Sequence, residues 1–290
     1  MNTQIPKPIP FKIPKSKDHA LRVQVDDAPV FYTKLHCHPE YQITAIVSGE
    51  GVFYAGNGIT SFSENDVLLI GSNVPHVLKS SISETKNQPL AKGVSLFFDD
   101  FFFGPQFFEL KEMSNIKSLL HDSNRVIQIT GSAKAEIYEL IISTTSSNDE
   151  QLIITFLKIL SHISKAPKKY LNNVHHNIDL NESENSRLNT VLAYTFQNMY
   201  QEMSIEQIAK IAFLSRSQFS HFFKLHTGKT YIQFLNELRI ENACVLLRKS
   251  NETIEQICYG VGFQNVSNFV RHFKKVKTVT PSKYRKSWMP

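Results

Sequence analysis

Hydrophobic and polar positions along the chain change their period partway. From Phe31 to about Gln128, aromatic and β-branched runs at Tyr41–Val47, Gly51–Tyr54, Val67–Ile70 and Val94–Phe98 are separated by turn residues. These turns fall at Ser48-Gly49, at Gly56-Asn57-Gly58 and from Asn73 to Pro75. Short strands at this spacing predict an antiparallel barrel or sandwich. After Gly131 the period becomes helical. Ile137, Leu140 and Ile141 form one apolar stripe, and Leu152, Phe156, Leu157, Leu160 and Ile163 form a second, with a polar turn from Ser143 to Asn148 between them. Two such helices can pack on the strands or form a seam between two copies. Residues 1–30 are rich in Pro, Lys and Asp and predict an irregular arm. Residues 164–183 are polar and Asn-rich, including His175-His176, and predict a linker. Everything beyond is helical. The expected fold is therefore α+β in two domains, an antiparallel β domain with two helices over 31–163 and an all-α domain over 184–290.

The all-α part repeats itself. Ser204 to Thr227 carries Ile205, Ile208 and Ala209 on a short first helix, a break near Phe213-Leu214, and then Ser215 and Gln218 in capping-box spacing at the start of a second. Phe219, Phe222 and Phe223 face inward, which leaves Arg216, Ser217, Ser220, His221 and Lys224 outward. The same order returns over 253–276. Ile254, Ile257 and Cys258 line a helix, Gly262-Phe263 makes the turn, and Asn265 caps a helix whose Phe269 and Phe273 point in while Val266, Ser267, Asn268, Arg271 and Lys274 point out. Helix, tight turn and capped second helix with polar and basic outer residues is the helix-turn-helix pattern, here twice, at about 203–227 and 253–276. Tyr231–Arg248 between the two units reads as one continuous helix, able to hold two readers about one DNA turn, roughly 34 Å, apart.

Charge supports an anionic partner for this part. The 290 residues hold 32 Lys+Arg and 26 Asp+Glu, a net of +6. From Ser183 onward there are 15 basic and 7 acidic residues, so the body is slightly acidic and the helical domain basic. A membrane partner is not expected, because the apolar stripes are short and satisfied by neighbouring helices. The N-terminal residues lack an apolar leader, and Cys37, Cys244 and Cys258 make no CxxC pair, which together predict a cytoplasmic protein.

The repeat resembles the double helix-turn-helix domain of the AraC/XylS transcription regulators. The matching residues are Ile208-Ala209, Ser215, Phe219, Phe223, Gly228, Leu238-Arg239, Ala243, Leu246-Leu247, Ile254, Ile257, Gly262-Phe263, Asn268-Phe269, Phe273-Lys274, Pro281 and Tyr284-Arg285. Phe213 and Thr278 stand where the family usually has Gly. The resemblance implies a sequence-specific transcription regulator, for instance an activator, that binds double-stranded DNA as a homodimer, with RNA polymerase as a further partner. Arg216, Ser217, Ser220 and His221 would face one major groove, and Val266, Ser267, Asn268 and Arg271 the next. Lys224 and Lys274 would serve as phosphate contacts.

The N-terminal part resembles a cupin-like barrel of the kind that forms the effector arm of such regulators. His36-Cys37-His38, Gln42, Gly49 and Pro75-His76 fall at the positions of the two cupin motifs, with Gln42 where metal-binding members have Glu. Positions 36, 38 and 42 share parity, so a single strand face can present all three. The expected use is a pocket for a small polar effector, for instance a sugar, lined by His36, His38, Gln42 and His76. A metal at His36, His38 and His76 is the alternative, since a neutral amide is a poorer ligand than a carboxylate. No cofactor and no catalytic residues are expected. The competing function, a metal-dependent cupin enzyme with an accessory basic domain, is disfavoured by Gln42. RNA binding is disfavoured by the lack of a Gly-and-aromatic platform.

Overall fold

The computed structural model describes residues 21–32, 34–80, 91–99, 101, 103, 104, 106–121, 125–171 and 182–288. The first 20 residues of the expected arm and His175-His176 of the expected linker lie outside that set. Among the described residues nine strands build two antiparallel sheets: β1 (Leu21–Ala28), β2 (Tyr41–Ser48), β3 (Gly51–Ala55), β4 (Gly58–Phe62), β5 (Val67–Ile70), β6 (His76–Ser80), β7 (Ala91–Phe98), β8 (Ile127–Ile129) and β9 (Lys168–Tyr170). The large sheet runs β1-β7-β2-β5-β8-β9 and the small one β4-β3-β6. The antiparallel barrel or sandwich expected from the strand spacing takes the form of these two sheets, and the isolated bridge His36↔His76 reaches between the loop before β2 and the edge of β6.

Alternation along β2 shows how the layers arise. Ile43 and Ala45 join Leu69 of β5 and Leu96 of β7 on one face of the large sheet. There they pack against α1 (Ser114–His121), α2 (Ala133–Ser143) and α3 (Asp149–Lys165) through Leu120, Ile137, Ile141, Phe156 and Leu160. On the opposite face Ile46, Leu68 and Ile70 meet Phe53 and Phe62 of the small sheet. The Phe-rich run beginning at Phe97 supplies part of the seam under the helices, with Phe103 stacked on Phe156 at 6.0 Å.

Two stretches differ from expectation. Residues 21–28 of the arm are a strand, paired with β7 over their whole length from Leu21↔Phe98 to Ala28↔Ala91. Its polar positions hid it, but they have a period of two. Arg22 donates to Gln24 (3.1 Å) and Gln24 to Asp26 (2.7 Å) along one face of an edge strand. Within the expected linker, Lys168–Tyr170 adds an edge strand to β8.

The C-terminal residues fold as α4 (Glu182–Asn198), α5 (Ile205–Ile211), α6 (Arg216–Thr227), α7 (Tyr231–Lys249), α8 (Ile254–Gly260), α9 (Val266–Lys277) and α10 (Pro281–Lys286). The 19-residue α7 is the axis of this part. Its first half packs with α4 to α6 through Phe234, Leu235 and Leu238. Its second half packs with α8 and α9 through Ile240, Ala243, Cys244 and Leu247. A third face of α7 covers the outer side of the small sheet, where Tyr54 meets Phe234 edge-on at 5.5 Å. No helix among the described residues is long and apolar enough to cross a membrane.

Candidate nucleic-acid interface and histidine cluster

Local chemistry sets each helix-turn-helix. The Ser204 side chain caps α5 on Gln207 N. Ser215 and Gln218 close a reciprocal capping box on α6, as their spacing predicts. Thr253 and Gln256 form the same box on α8, and Asn265 caps α9 on Asn268 N. Both turns need one left-handed residue. In the second unit it is Gly262 at φ +93°, where an added Cβ would lie 2.7 Å from Met199 O and 2.9 Å from Arg239 Nε. In the first it is Phe213 at φ +55°, its ring 72% exposed. Thr278, after α9, is also left-handed, at φ +64°. An L side chain in this region costs about 1–2 kcal/mol. Because Phe213 buries little, Phe213→Gly is expected to raise stability by about 1 kcal/mol, read as an increase in melting temperature. A lowered melting temperature would mean that the ring makes a contact worth more than the strain.

The residues expected to read DNA lie on exposed helix surface. Arg216, Ser217, Ser220, His221 and Lys224 are exposed on α6; Ser267, Asn268, Arg271 and Lys274 are exposed on α9, and Val266 is half-buried. Several of them are already engaged. Arg216 pairs with Glu206 of α5 at 2.8 Å, and Arg271 donates to Asn268 Oδ1 at 2.7 Å. The second contact orients both side chains, an Arg and an Asn, at the start of one helix.

Sequence reasoning placed Arg239 only as a family match and passed over Glu241 and Lys277. Arg239 is buried and donates to Met199 O and Gln201 O, both at 2.7 Å, with its guanidinium over the Phe263 ring. It ties the loop before α5 to the turn of the second unit. Glu241, 2% exposed, accepts from Lys277 Nζ at the end of α9 (2.7 Å) and from the backbone N–H of Ser61 in β4 (2.9 Å). Lys249 pairs with Glu50 at 2.9 Å beside it. A recognition helix is thereby linked to the β domain through one carboxylate.

The second cluster is at the bridge between the sheets. His36, His38 and His76 each offer a ring nitrogen, all within 4.8 Å of one another. They do not share one strand face, because Pro39 and Glu40 bend the chain before β2 begins. The bridge to His76 brings the rings together instead, with centroid separations of 4.3 Å (His36 to His76) and 5.2 Å (His38 to His76). Gln42 does join them, with Oε1 3.1 Å from His38 Nε2. Its amide donates to Thr44 Oγ1 (2.8 Å) and Ser95 Oγ (3.3 Å) inside the sheets. Burial lowers the pKa of all three rings. His36 falls to about 4 despite the Lys34 carbonyl, and His76, further lowered by His36 and His38, lies well below its ordinary value. The three are neutral imidazoles at physiological pH. Cys37, half-buried, has its thiol pushed up by burial and is a packing residue.

Family comparison agrees with both halves. Residues 19–89 match the model of an AraC-like ligand binding domain, and residues 208–287 match a helix-turn-helix domain. The chain belongs to the AraC family of transcription regulators. One relative, an HTH-type transcriptional regulator of Haemophilus influenzae, is 36% identical over 104 residues, 36% of this chain and 35% of its own length. The chain thus spans about a third of that relative. The Bacillus subtilis regulator YdeC is 23% identical over 269 residues, 88% of this chain and 87% of YdeC. Among solved structures, ToxT from Vibrio cholerae aligns over 93% of this chain and 98% of its own at 18% identity, with a TM-score of 0.37. The match to the AraC-like ligand binding domain contains all four residues of the histidine cluster, and the helix-turn-helix match contains every candidate DNA contact.

Proposed function

We propose that this AraC-family chain is an effector-responsive regulator. Its α6 and α9 read two DNA grooves, and its histidine cluster takes a small polar effector. The observation that carries the reading is the doubled helix-turn-helix on a single axis. Each unit has a capped recognition helix whose outer face is polar and basic, while its Phe residues are spent on the core. The separation fits as well, since a 19-residue helix is about 28 Å long, close to one DNA turn.

Coupling follows from the register of the small sheet. His76 pairs with Ala55, and the next pair, Tyr54 and Val77, faces α7. A ligand that moves His76 moves the strand pair that bears Tyr54 against Phe234. The effect is a shift between docked and released positions of the DNA-binding helices. Two copies would meet through the outer sides of α2 and α3, where Ile154 is 56% exposed on the face of α3 turned away from its buried stripe. RNA polymerase would be the downstream contact, and the setting cytoplasmic.

Selection of bound duplexes from a random library by the full-length protein, at two salt concentrations, tests the reading. Two short motifs about 10 base pairs apart are expected; sequence-blind or absent binding, both in the full chain and after its saturation with candidate effectors, would overturn it. In the same assay Arg271→Ala is expected to cost about 1–3 kcal/mol on the preferred site and to relax preference at one position. Equal weakening on all sequences would make Arg271 a phosphate contact.

A further inference from the structure

Among the described residues the two sheets leave four edge strands, β1 and β9 on the large sheet, β4 and β6 on the small one. Three of them do not invite a partner. α7 lies along β4, and His36 bridges to His76 on the outer side of β6. β9 is three residues long and presents Lys168 and Lys169, so a second β9 beside it would set lysine against lysine. β1 is different. It is eight residues long, pairs with β7 on one side over its whole length, and has no strand on the other side among the described residues. The row of backbone donors and acceptors on such an edge is a template for another strand.

The side chains of β1 define the strand that fits it. Leu21 and Val23 point to the helix side, and Val25 on the same face is 49% exposed. The other face carries Arg22, Gln24 and Asp26, joined in a ladder of hydrogen bonds. Two copies of one strand that pair antiparallel in a continuous sheet are related by a two-fold axis normal to that sheet. The axis preserves faces, so it must pass at the level of a residue rather than between two. Centred on Val23, it sets Arg22 against Gln24; centred on Val25, it sets Gln24 against Asp26. Centred on Gln24, it sets each Arg22 against the partner's Asp26 and each Val25 against the partner's Val23. Opposite charges and apolar pairs directly across two strands stabilise the pair, whereas like charges there oppose it. The charges that blunt many edges are here ordered so that a second copy matches them.

We propose that β1 is the pairing edge for a second copy of this chain, antiparallel and centred on Gln24, so that two large sheets become one. The inference rests on the homodimer part of the regulator reading and gives that dimer its orientation. A pair of eight-residue strands covers less than the roughly 1,200–2,000 Å² of a stable interface, so a second surface must join it. The fold supplies one at the same edge, because the turn Thr144–Ser146 that joins α2 to α3 lies against β1. With the axis normal to the sheet, the helix layers of both copies lie on one side of it. Their α2–α3 ends then meet above the paired strands.

Gln24→Cys in the full-length protein tests the register. On the axis the two introduced thiols belong to directly opposite residues, with Cα atoms about 4.5–5.5 Å apart and within reach of a disulfide. Mild oxidation is expected to convert most of the protein to a covalent dimer. In Val23→Cys or Val25→Cys the two copies of the new residue lie about 8 Å apart, too far to link, so both are expected to stay monomeric in a denaturing gel. The wild-type protein, with its half-buried Cys37, is the control. Sedimentation equilibrium supplies a second measurement. Arg22→Asp sets acid against acid and is expected to weaken dimerisation at least about tenfold, while Arg22→Asp with Asp26→Arg restores it. Equal linking at all three positions, an unlinked Gln24→Cys, or a monomeric wild-type protein would overturn the proposal. If β1 amides resist hydrogen exchange in a monomer, another part of the chain covers the edge and the proposal fails. The duplex selection separates this inference from the regulator reading. Selective DNA binding by a protein that does not link at Gln24→Cys sinks the strand pairing alone, whereas a linked dimer without selective binding sinks the regulator alone.

Discussion

Lys277→Met is expected to destabilise the full-length protein by about 3–5 kcal/mol in chemical denaturation. Glu241 and Lys277 are a closed pair, with side chains 3% and 13% exposed. Removing the cation leaves a buried carboxylate with one hydrogen bond among the described residues, from the Ser61 N–H, and Lys169 as the remaining cation that interacts with it. Breaking a buried pair from one side carries that magnitude, whereas an exposed pair such as Arg216–Glu206 is worth about 0–1 kcal/mol. Burial alone would lower the Lys277 pKa, but Glu241, helped by Cys244, turns the net shift upward. The pair's contribution is therefore complete below the pKa of an unfolded lysine and is lost as pH rises through the higher folded value. The deficit should be undiminished at neutral pH. Lys277→Met with Glu241→Met is expected to recover part of the loss, though not all, because the buried Ser61 N–H then has no acceptor. A cost under about 1 kcal/mol for Lys277→Met would show that the carboxylate reaches water and that the link from β4 to α9 is weak. The same variant should raise DNA affinity if the docked β domain restrains the second reader.

What could be read in advance was whatever depends on near neighbours. Ser215 and Gln218 are three residues apart, and their capping box is a property of that spacing alone; so is the alternation of Ile43 and Ala45 against Gln42, Thr44 and Ile46. The inward Phe residues of α6 and α9 followed from helical period. Elements that depend on a distant partner were not legible. β1 is a strand because β7 supplies its hydrogen bonds, three-residue β8 because β5 and β9 flank it, and β9 because β8 does. The histidines were expected to stand together, yet the reason they meet is a bridge across 40 residues rather than a shared strand face. Glu241 looked like an ordinary polar position on a long helix. Its partners are Ser61, 180 residues earlier, and Lys277, 36 later, and no local pattern announces either.

Phe269→Ala separates the two readers. Phe269 is fully buried in a cluster built from α7 to α10 and the turn, against Phe263 at 5.3 Å and Phe273 at 5.7 Å. Truncating a buried Phe costs about 3–5 kcal/mol, including the cavity left behind. The counterpart Phe219 sits in a larger cluster that takes in α4 and continues through Phe223 and Phe234 to Tyr54 of the small sheet. A loss at Phe219 is shared with the β domain, while a loss at Phe269 falls on about 40 residues that have little other core. Phe269→Ala should therefore loosen α8 and α9 and leave α4 to α6 and the sheets folded. Hydrogen exchange is expected to show fast amides in residues 254–277 and unchanged protection in 205–227. The duplex selection should then return one short motif instead of two, at an affinity reduced by at least 100-fold. Arg271→Ala, on the exposed face of the same helix, should leave stability within about 0.5 kcal/mol and change only the affinity and base preference for DNA. If Phe269→Ala instead exposes both units to exchange together, α7 couples them into one cooperative body. DNA reading would then be a property of the whole helical domain rather than of two separable halves.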